Sequence, residues 1–355
     1  MKDLTLHRTS TDLCSGIHDG ETLLELARGW LKQGNPVVAL ELLQTAIASR
    51  EADISPLLRA QVLKETGRAY MMQSDWDKAD GYYLEAQRLF KENGNSKGAA
   101  ESARNRANML FQRGRYAESE DLCEQALEWA SEINDYELRA TILNTLGALK
   151  SATGYLSEAV KVLRLCLADF ESAGNKARQG YVLLNIGLTQ TELNDFSEAI
   201  ASLNGALAIA LEIRDLNLVE ICYQNISRCY LSQNESVLAR SVCETARKIL
   251  PGLNSKALET ELCAIEGKIS RLTGDLHTAE SRLQAAYEQA CQNNLQALQA
   301  DLLLEQGLLY RDMGKTSLAV SKLNAAVDQF KSFGIEKGFK EAVQVLEQLN
   351  RKSQL

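Results

Sequence analysis

The chain repeats itself every 40 residues, and the period does not slip once from Ala27 onward. A small residue recurs as Ala27, Gly67, Ala107, Gly147, Gly187, Ser227, Gly267 and Gly307. Twelve residues later stands a second small column: Ala39, Ala79, Ser119, Ala159, Ala199, Ala239, Ala279 and Ala319. Seven further on comes a third: Ala46, Ala86, Ala126, Cys166, Ala206, Ala246, Ala286 and Ala326. Between the first two lies a turn column of Gly34, Ser74, Gly114, Gly154, Asn194, Asn234, Gly274 and Gly314. A fixed period of this length means stacked supersecondary units that bury their faces only against neighbours.

Each column has a physical reason. Small residues in the first two let a pair of helices approach closely, and the third sits where the next unit stacks. Gly and Asn reach the left-handed conformation of a helix end at least cost. Four residues after the second column a larger side chain fills the gap: Leu43, Tyr83, Cys123, Leu163, Leu203, Cys243, Leu283 and Leu323. Apolar residues recur at helical spacing through both halves of each unit. Only three prolines occur in 355 residues, which suits a chain made of helices.

With these columns the chain resembles the tetratricopeptide repeat family, in a variant lengthened to 40 residues, over about residues 20–339. NIGLTQTELNDFSEAIASLNGALAIA (185–210) is its cleanest match. Arg106 and Glu266 depart from the pattern where an apolar residue is usual, as do Lys150, Gln190 and Ser270 where an aromatic is. The resemblance implies an all-α, right-handed superhelical α-solenoid of eight helix-turn-helix units. The expected layout is a polar lead-in at 1–19, units from 20 to 339, and a capping helix at 340–355 whose stripe is Phe339, Ala342, Val343, Leu346 and Leu349. PGLNS (251–255) is the clearest helix break.

Little in the chain points to chemistry. Three histidines are too few and too scattered to form a zinc site with the cysteines, and the known nucleotide-binding and hydrolase motifs are missing, so no catalytic residue and no cofactor is assigned. Cys123, Cys166 and Cys243 stand where other units carry Leu, Tyr or Ala and read as small buried apolar residues rather than disulfide partners. The net charge of −8 argues against nonspecific nucleic-acid binding. The N-terminus lacks a secretory pattern and no run of 18 apolar residues occurs, so a cytoplasmic protein without membrane contact is expected.

The resemblance further implies that the first helices line a groove for a protein or peptide. In that register Asn105, Asn185 and Asn225 match the family's groove asparagine. Lys64, Arg104 and Asn144 stand three residues before the central small residue, and Arg68, Asn108, Leu188, Arg228 and Lys268 just after it. Arg271, Tyr181 and Leu184 complete the set. Two basic stretches, Lys64–Arg68–Arg104 and Arg228–Lys268–Arg271, flank a less charged centre. Either these cations pair with acids on adjacent helices, or they form a groove for an acidic segment with an apolar anchor. The family's chaperone-tail clamp is not matched, because Arg68 replaces an Asn and Thr141 and Thr145 stand where bases belong. A non-catalytic interaction scaffold is the leading reading; the sensory module of a bacterial signalling or transcription regulator is the alternative. The oligomeric state is left open. Circular dichroism should report about 80% helix, far above the globular average; a substantial strand signal would refute the repeat reading.

Overall fold

Three-residue turns recur through the chain and cut it into helices of nearly equal length. In a computed structural model that describes residues 19–48, 55–249 and 256–352, seventeen helices follow one another without a strand among the described residues. They are α1 (Gly20–Lys32), α2 (Pro36–Ala48), α3 (Pro56–Met72), α4 (Trp76–Glu92), α5 (Ser96–Gln112), α6 (Tyr116–Glu132), α7 (Tyr136–Ala152), α8 (Leu156–Ser172) and α9 (Lys176–Glu192). Then come α10 (Phe196–Ile213), α11 (Leu216–Ser232), α12 (Ser236–Ile249), α13 (Lys256–Leu272), α14 (Leu276–Gln292), α15 (Gln296–Asp312), α16 (Thr316–Phe333) and α17 (Glu336–Lys352). Odd-numbered helices are the first, or A, helix of each pair and even-numbered ones the second, B. The chain forms two compact units, Met1–Asn185 and Ile186–Leu355, whose border falls within α9. The lead-in up to residue 18 and the 251–255 break lie outside the described residues.

The turns obey a finer period than the 40-residue columns show. Left-handed residues recur every 20 positions, at Ser74, Gly94, Gly114, Asn134, Gly154, Gly174, Asn194 and Arg214, and again from Asn234 to Gly334 wherever the chain is described. The turn between pairs is therefore the turn within a pair. At Gly154 the left-handed amide donates to Ser151 O at 3.0 Å, and the next amide, Tyr155 N, to Lys150 O at 2.9 Å. This double bond satisfies the last carbonyls of the helix. The following helix is often capped by an acid or amide: Asp135 accepts from Leu138 N at 2.9 Å and Asn95 from Gly98 N at 2.7 Å.

Packing depends on two size-matched contacts. Inside a pair, the central small residue of the A helix meets the residue sixteen positions on. A Cβ added to Gly147 would lie 2.6 Å from Leu163 Cδ2, and one added to Gly307 2.6 Å from Leu323 Cγ. Gly67 receives Tyr83 in the same way, Gly187 receives Leu203 and Gly267 receives Leu283. Where the knob shrinks to Cys, the hole fills. Cys123 packs in one cluster with Ala107, and Cys243 Sγ lies 3.7 Å from Ser227 Oγ. Ala27 opposite Leu43 is the exception. Between pairs the partner is eight positions on. Phe90 fills the space at Gly98 and Phe330 that at Gly338, whereas Ala130 meets Leu138 and Ala290 meets Leu298.

The departures from the family pattern are accommodated by charge and hydrogen bonding. Arg106 forks onto Asp80 (2.5 and 3.3 Å). Glu266 takes a bidentate pair from Arg247 at 2.9 and 3.0 Å. Lys150 reaches Glu120 at 2.5 Å, and buried Gln190 accepts from Ser202 Oγ at 2.7 Å. Helix α10 (Phe196–Ile213) is long and apolar enough by composition to cross a bilayer, which the run-length reading passed over. Its buried residues, Ala199, Leu203, Ala206, Leu207 and Ala210, nevertheless include the same packing columns as the other B helices.

Gly147→Ala should destabilise the protein by about 1–3 kcal/mol through overpacking against Leu163. Adding Leu163→Cys, which copies the Ala107–Cys123 pair, should recover part of that loss, so that the double variant is more stable than the sum of the singles by about 1 kcal/mol. Additive melts would show that the two side chains do not meet.

Candidate functional site

Successive A helices touch one another within each unit, as α1–α3, α3–α5, α5–α7 and α11–α13, α13–α15, α15–α17 do, whereas no B–B contact of that extent occurs among the described residues within either unit. The A helices therefore form the closely packed wall of each unit, and the side chains that recur one residue after, and two, three and six before, the central small position line it.

Much of that wall is occupied by its own ion pairs, which run from one A helix to the next. In the first unit, Arg28 Nε reaches Glu65 Oε1 at 3.4 Å, and Lys64 pairs with Glu101. Arg68 lies 3.6 Å from Glu65 and stays partly exposed. In the second unit, Lys268 meets Glu305 at 2.6 Å, and Arg271 bonds Glu305 at 3.1 Å and Asp312 at 2.8 Å. Arg228 sits 3.4 Å from Glu261 and is half exposed. Lys64, Lys268 and Arg271 thus spend their charge on close carboxylates, while Arg68 and Arg228 are held only loosely.

The asparagines divide in the same manner. Asn185 Nδ2 donates to Asn144 Oδ1 at 3.1 Å, joining α9 to α7. Asn225 bonds the carbonyl of Ile221 in its own helix at 2.8 Å. Asn105 and Asn108, both half-buried on α5, have no side-chain hydrogen bond. On α9, Tyr181 is exposed, Leu188 half-buried, and Leu184 buried at 6%, so Leu184 serves packing more than contact.

Arg104 differs from all of these. Its Nε is buried and has no hydrogen-bond partner. Burial pushes its guanidinium below the ordinary arginine range; Glu101 and Tyr83 oppose the change, and Arg178 and Arg68 add to it. In the second unit the acids dominate the shifts. Burial alone would raise Glu305, but Lys268 and Arg271 outweigh it and hold its carboxyl below the usual range. Asp301, open to solvent but ringed by protein, is raised by burial, with Arg228 opposing.

Glu65, Glu101, Glu305, Asp301 and Arg178 were not singled out by the sequence reading. The acids had a legible signal: a base on the wall is answered by a carboxylate 37 residues later in Arg28–Glu65, Lys64–Glu101 and Lys268–Glu305. The cysteines at 123, 166 and 243 are buried free thiols. Burial pushes Cys123 and Cys166 up to about 12 and Cys243 to about 11, which removes them from nucleophilic chemistry at neutral pH. Among the described residues no group of three His, Cys, Asp or Glu side chains converges as metal ligands.

Helix pairs stacked in register behind a polar A-helix wall define a helical repeat protein built for contact with other polypeptides. Sequence models of the tetratricopeptide repeat match residues 24–94, 98–172 and 181–212, together about half of the chain. The chain belongs to the tetratricopeptide repeat family. No curated protein matches its sequence. Among solved structures, the apo form of RapI is similar over 94% of this chain and 90% of its own, with a TM-score of 0.72 at 14% identity. A Rap protein complexed with Competence and Sporulation Factor is similar over 96% and 90%, at 0.54 and 16%. The Pyrococcus horikoshii signal-transduction ATPase with a tetratricopeptide repeat sensor is similar over 82% of this chain and 46% of its own, at 0.68 and 15%. At such identities the likeness is one of fold.

Glu305→Gln should leave Lys268 and Arg271 facing a neutral amide and cost about 3 kcal/mol. Because the folded carboxyl lies below its unfolded range, the cluster's contribution is present above that range and disappears as pH falls through the folded value. Wild type should therefore lose more stability than Glu305→Gln as pH falls from 6 to below the ordinary glutamate value of 4.5; parallel melting curves would contradict the assignment.

Proposed function

We propose that the protein is a non-catalytic interaction module that holds a segment of a partner polypeptide, extended or helical and carrying acidic side chains, against the wall of A helices. The observation that carries this reading is unused hydrogen-bonding capacity on that wall. Asn105 and Asn108 are half-buried amides, each able to donate and accept, and neither has a protein partner for its side chain. Amides of this kind match the alternating N–H and C=O groups of a peptide backbone. A Rap protein of similar fold was crystallised in complex with Competence and Sporulation Factor, which supports a binding role. Free buried thiols agree with a cytoplasmic setting.

A second reading has a specific observation behind it. The Pyrococcus horikoshii protein of similar fold uses its repeats as a sensor in a signal-transduction ATPase. The module would then pass ligand occupancy to an output function, such as a DNA-binding or nucleotide-hydrolysing protein, and such a partner would appear among the captured proteins. Neither reading involves nucleic acid or membrane as the direct ligand.

The test is affinity capture from the native cell with wild type and an Asn105→Leu/Asn108→Leu variant, with partners identified by mass spectrometry. A partner retained by wild type and lost by the folded variant supports the wall as the binding surface. Capture of the same partners by both would place binding elsewhere and refute the proposal.

A further inference from the structure

One B helix turns to solvent a face unlike that of its seven counterparts. Three outward positions recur on every B helix, and all of them are exposed. On seven of the helices they carry at least one charge, as at Asp121 and Glu124 on α6 or Lys161 and Arg164 on α8. On α10 they are Ala201, Asn204 and Ala208, and no charged residue stands between Glu198 and Glu212. Leu211 carries the face one turn further and is 46% exposed, where other B helices have Lys91, Glu171 or Lys331.

The two ends of this face carry opposite charges that nothing in the chain answers. Asp195 precedes α10 as its N-cap but makes no capping bond, unlike Asp75, Asp215 and Asp275, each of which accepts from the amide three residues on. Arg214 follows the helix, exposed, in a left-handed conformation that the other described positions of that kind give to Gly, Asn or Ser. Neither Asp195 nor Arg214 has an ion pair. The 18 residues of α10 between them span about 27 Å, so the two cannot reach each other within one chain.

These features are arranged symmetrically. Counted from the midpoint between Asn204 and Gly205, Ala201 mirrors Ala208, Asp195 mirrors Arg214, and exposed Leu193 mirrors exposed Leu216. An antiparallel second copy of α10 therefore sets Asp195 beside Arg214 at both ends, Leu193 beside Leu216, and the two uncharged centres against each other. Such self-complementarity is what a two-fold interface requires. Asn204 falls next to the axis, where two side-chain amides can each donate to the other.

We infer that the outward face of α10 is a homodimer interface, through which two copies of the chain pack antiparallel. The inward half of the helix is already committed, since a Cβ on Gly187 would lie 2.7 Å from Leu203 Cγ. A bilayer is a poorer cover than a second copy, because that commitment holds α10 in the core and because carboxylates, Glu198 and Glu212, bound its outward face. One pair of helices buries little area, so association is weak and reversible. The contact uses a B helix and is independent of the A-helix wall.

Sedimentation velocity of the full chain from about 1 μM to about 1 mM tests the inference, and wild type should pass from monomer to dimer across that range. Ala201→Glu, which puts a carboxylate into the contact from each copy, should weaken association at least about tenfold without lowering Tm, whereas Ser281→Glu, the same change at the same position of α14, should leave it unchanged. Asp195→Arg and Arg214→Asp should each weaken association, and the double variant, with the charges exchanged, should restore it. Wild type that stays monomeric at about 1 mM would overturn the inference, as would a dimer indifferent to Ala201→Glu or a charge exchange that restores nothing. So would wild type that cosediments with vesicles of phosphatidylcholine and phosphatidylglycerol when Ala201→Glu does not, which would make a bilayer the cover. A monomeric wild type that retains a different protein lost by Ala201→Glu would overturn it in favour of a heterologous partner.

Discussion

The contact between a hole on each A helix and a knob sixteen residues later sets the terms for the rest of the structure. A Leu or Tyr knob faces Gly67, Gly147, Gly187, Gly267 or Gly307, where even one Cβ would overlap it, and Ala27 opposite Leu43 is the exception. A Cys knob leaves room for Ala107 or Ser227. The two helices of a pair are thereby locked in register as well as in distance. Interiors packed near crystal density tolerate little change in volume at such a point, so knob and hole vary together from one unit to the next. The Phe–Gly and Ala–Leu exchange between pairs follows the same constraint with an eight-residue spacing.

Register at the core dictates register at the wall. Once the central small residue faces its knob, the residues around it on the A helix have no choice of direction, and the same positions line the wall in every unit. The left-handed turn every 20 residues keeps this alignment by ending each helix at the same phase. Uniform turns also explain why the chain tolerates Arg214 in a left-handed conformation: the surrounding helices hold the geometry that the residue itself disfavours.

The wall shows two uses of charge. Along most of it, bases and acids of neighbouring A helices neutralise one another, which staples adjacent pairs and leaves little for a ligand. Arg271, with Glu305 and Asp312, is the tightest example. At Arg104, Asn105 and Asn108 the stapling stops and polar groups are left over. A wall stapled throughout would be more stable and less able to bind. This interruption lies in the first unit, on the same helix α5 whose Glu101 and Arg106 pair with Lys64 and Asp80.

The all-helical repeat, its 40-residue period and the burial of its small columns were determined by the sequence alone, because each unit's packing is repeated eight times and the spacing of Gly, Ala and Leu is its direct imprint. The left-handed turns within pairs, as at Gly154 and Asn194, were legible for the same reason; the equivalent turns between pairs at Asn134, Arg214 and Asn294 were not, since a column that holds Arg214 does not spell a left-handed turn by residue type. At the wall the sequence located the cations but not their state. Lys64, Lys268 and Arg271 read no differently from Arg104 in a list of positions, and only the folded chain brings Glu101 and Glu305 to the first three and leaves Arg104 Nε without an acceptor. Pairing is a property of distance between helices that are far apart in sequence, and a residue's own identity does not contain it.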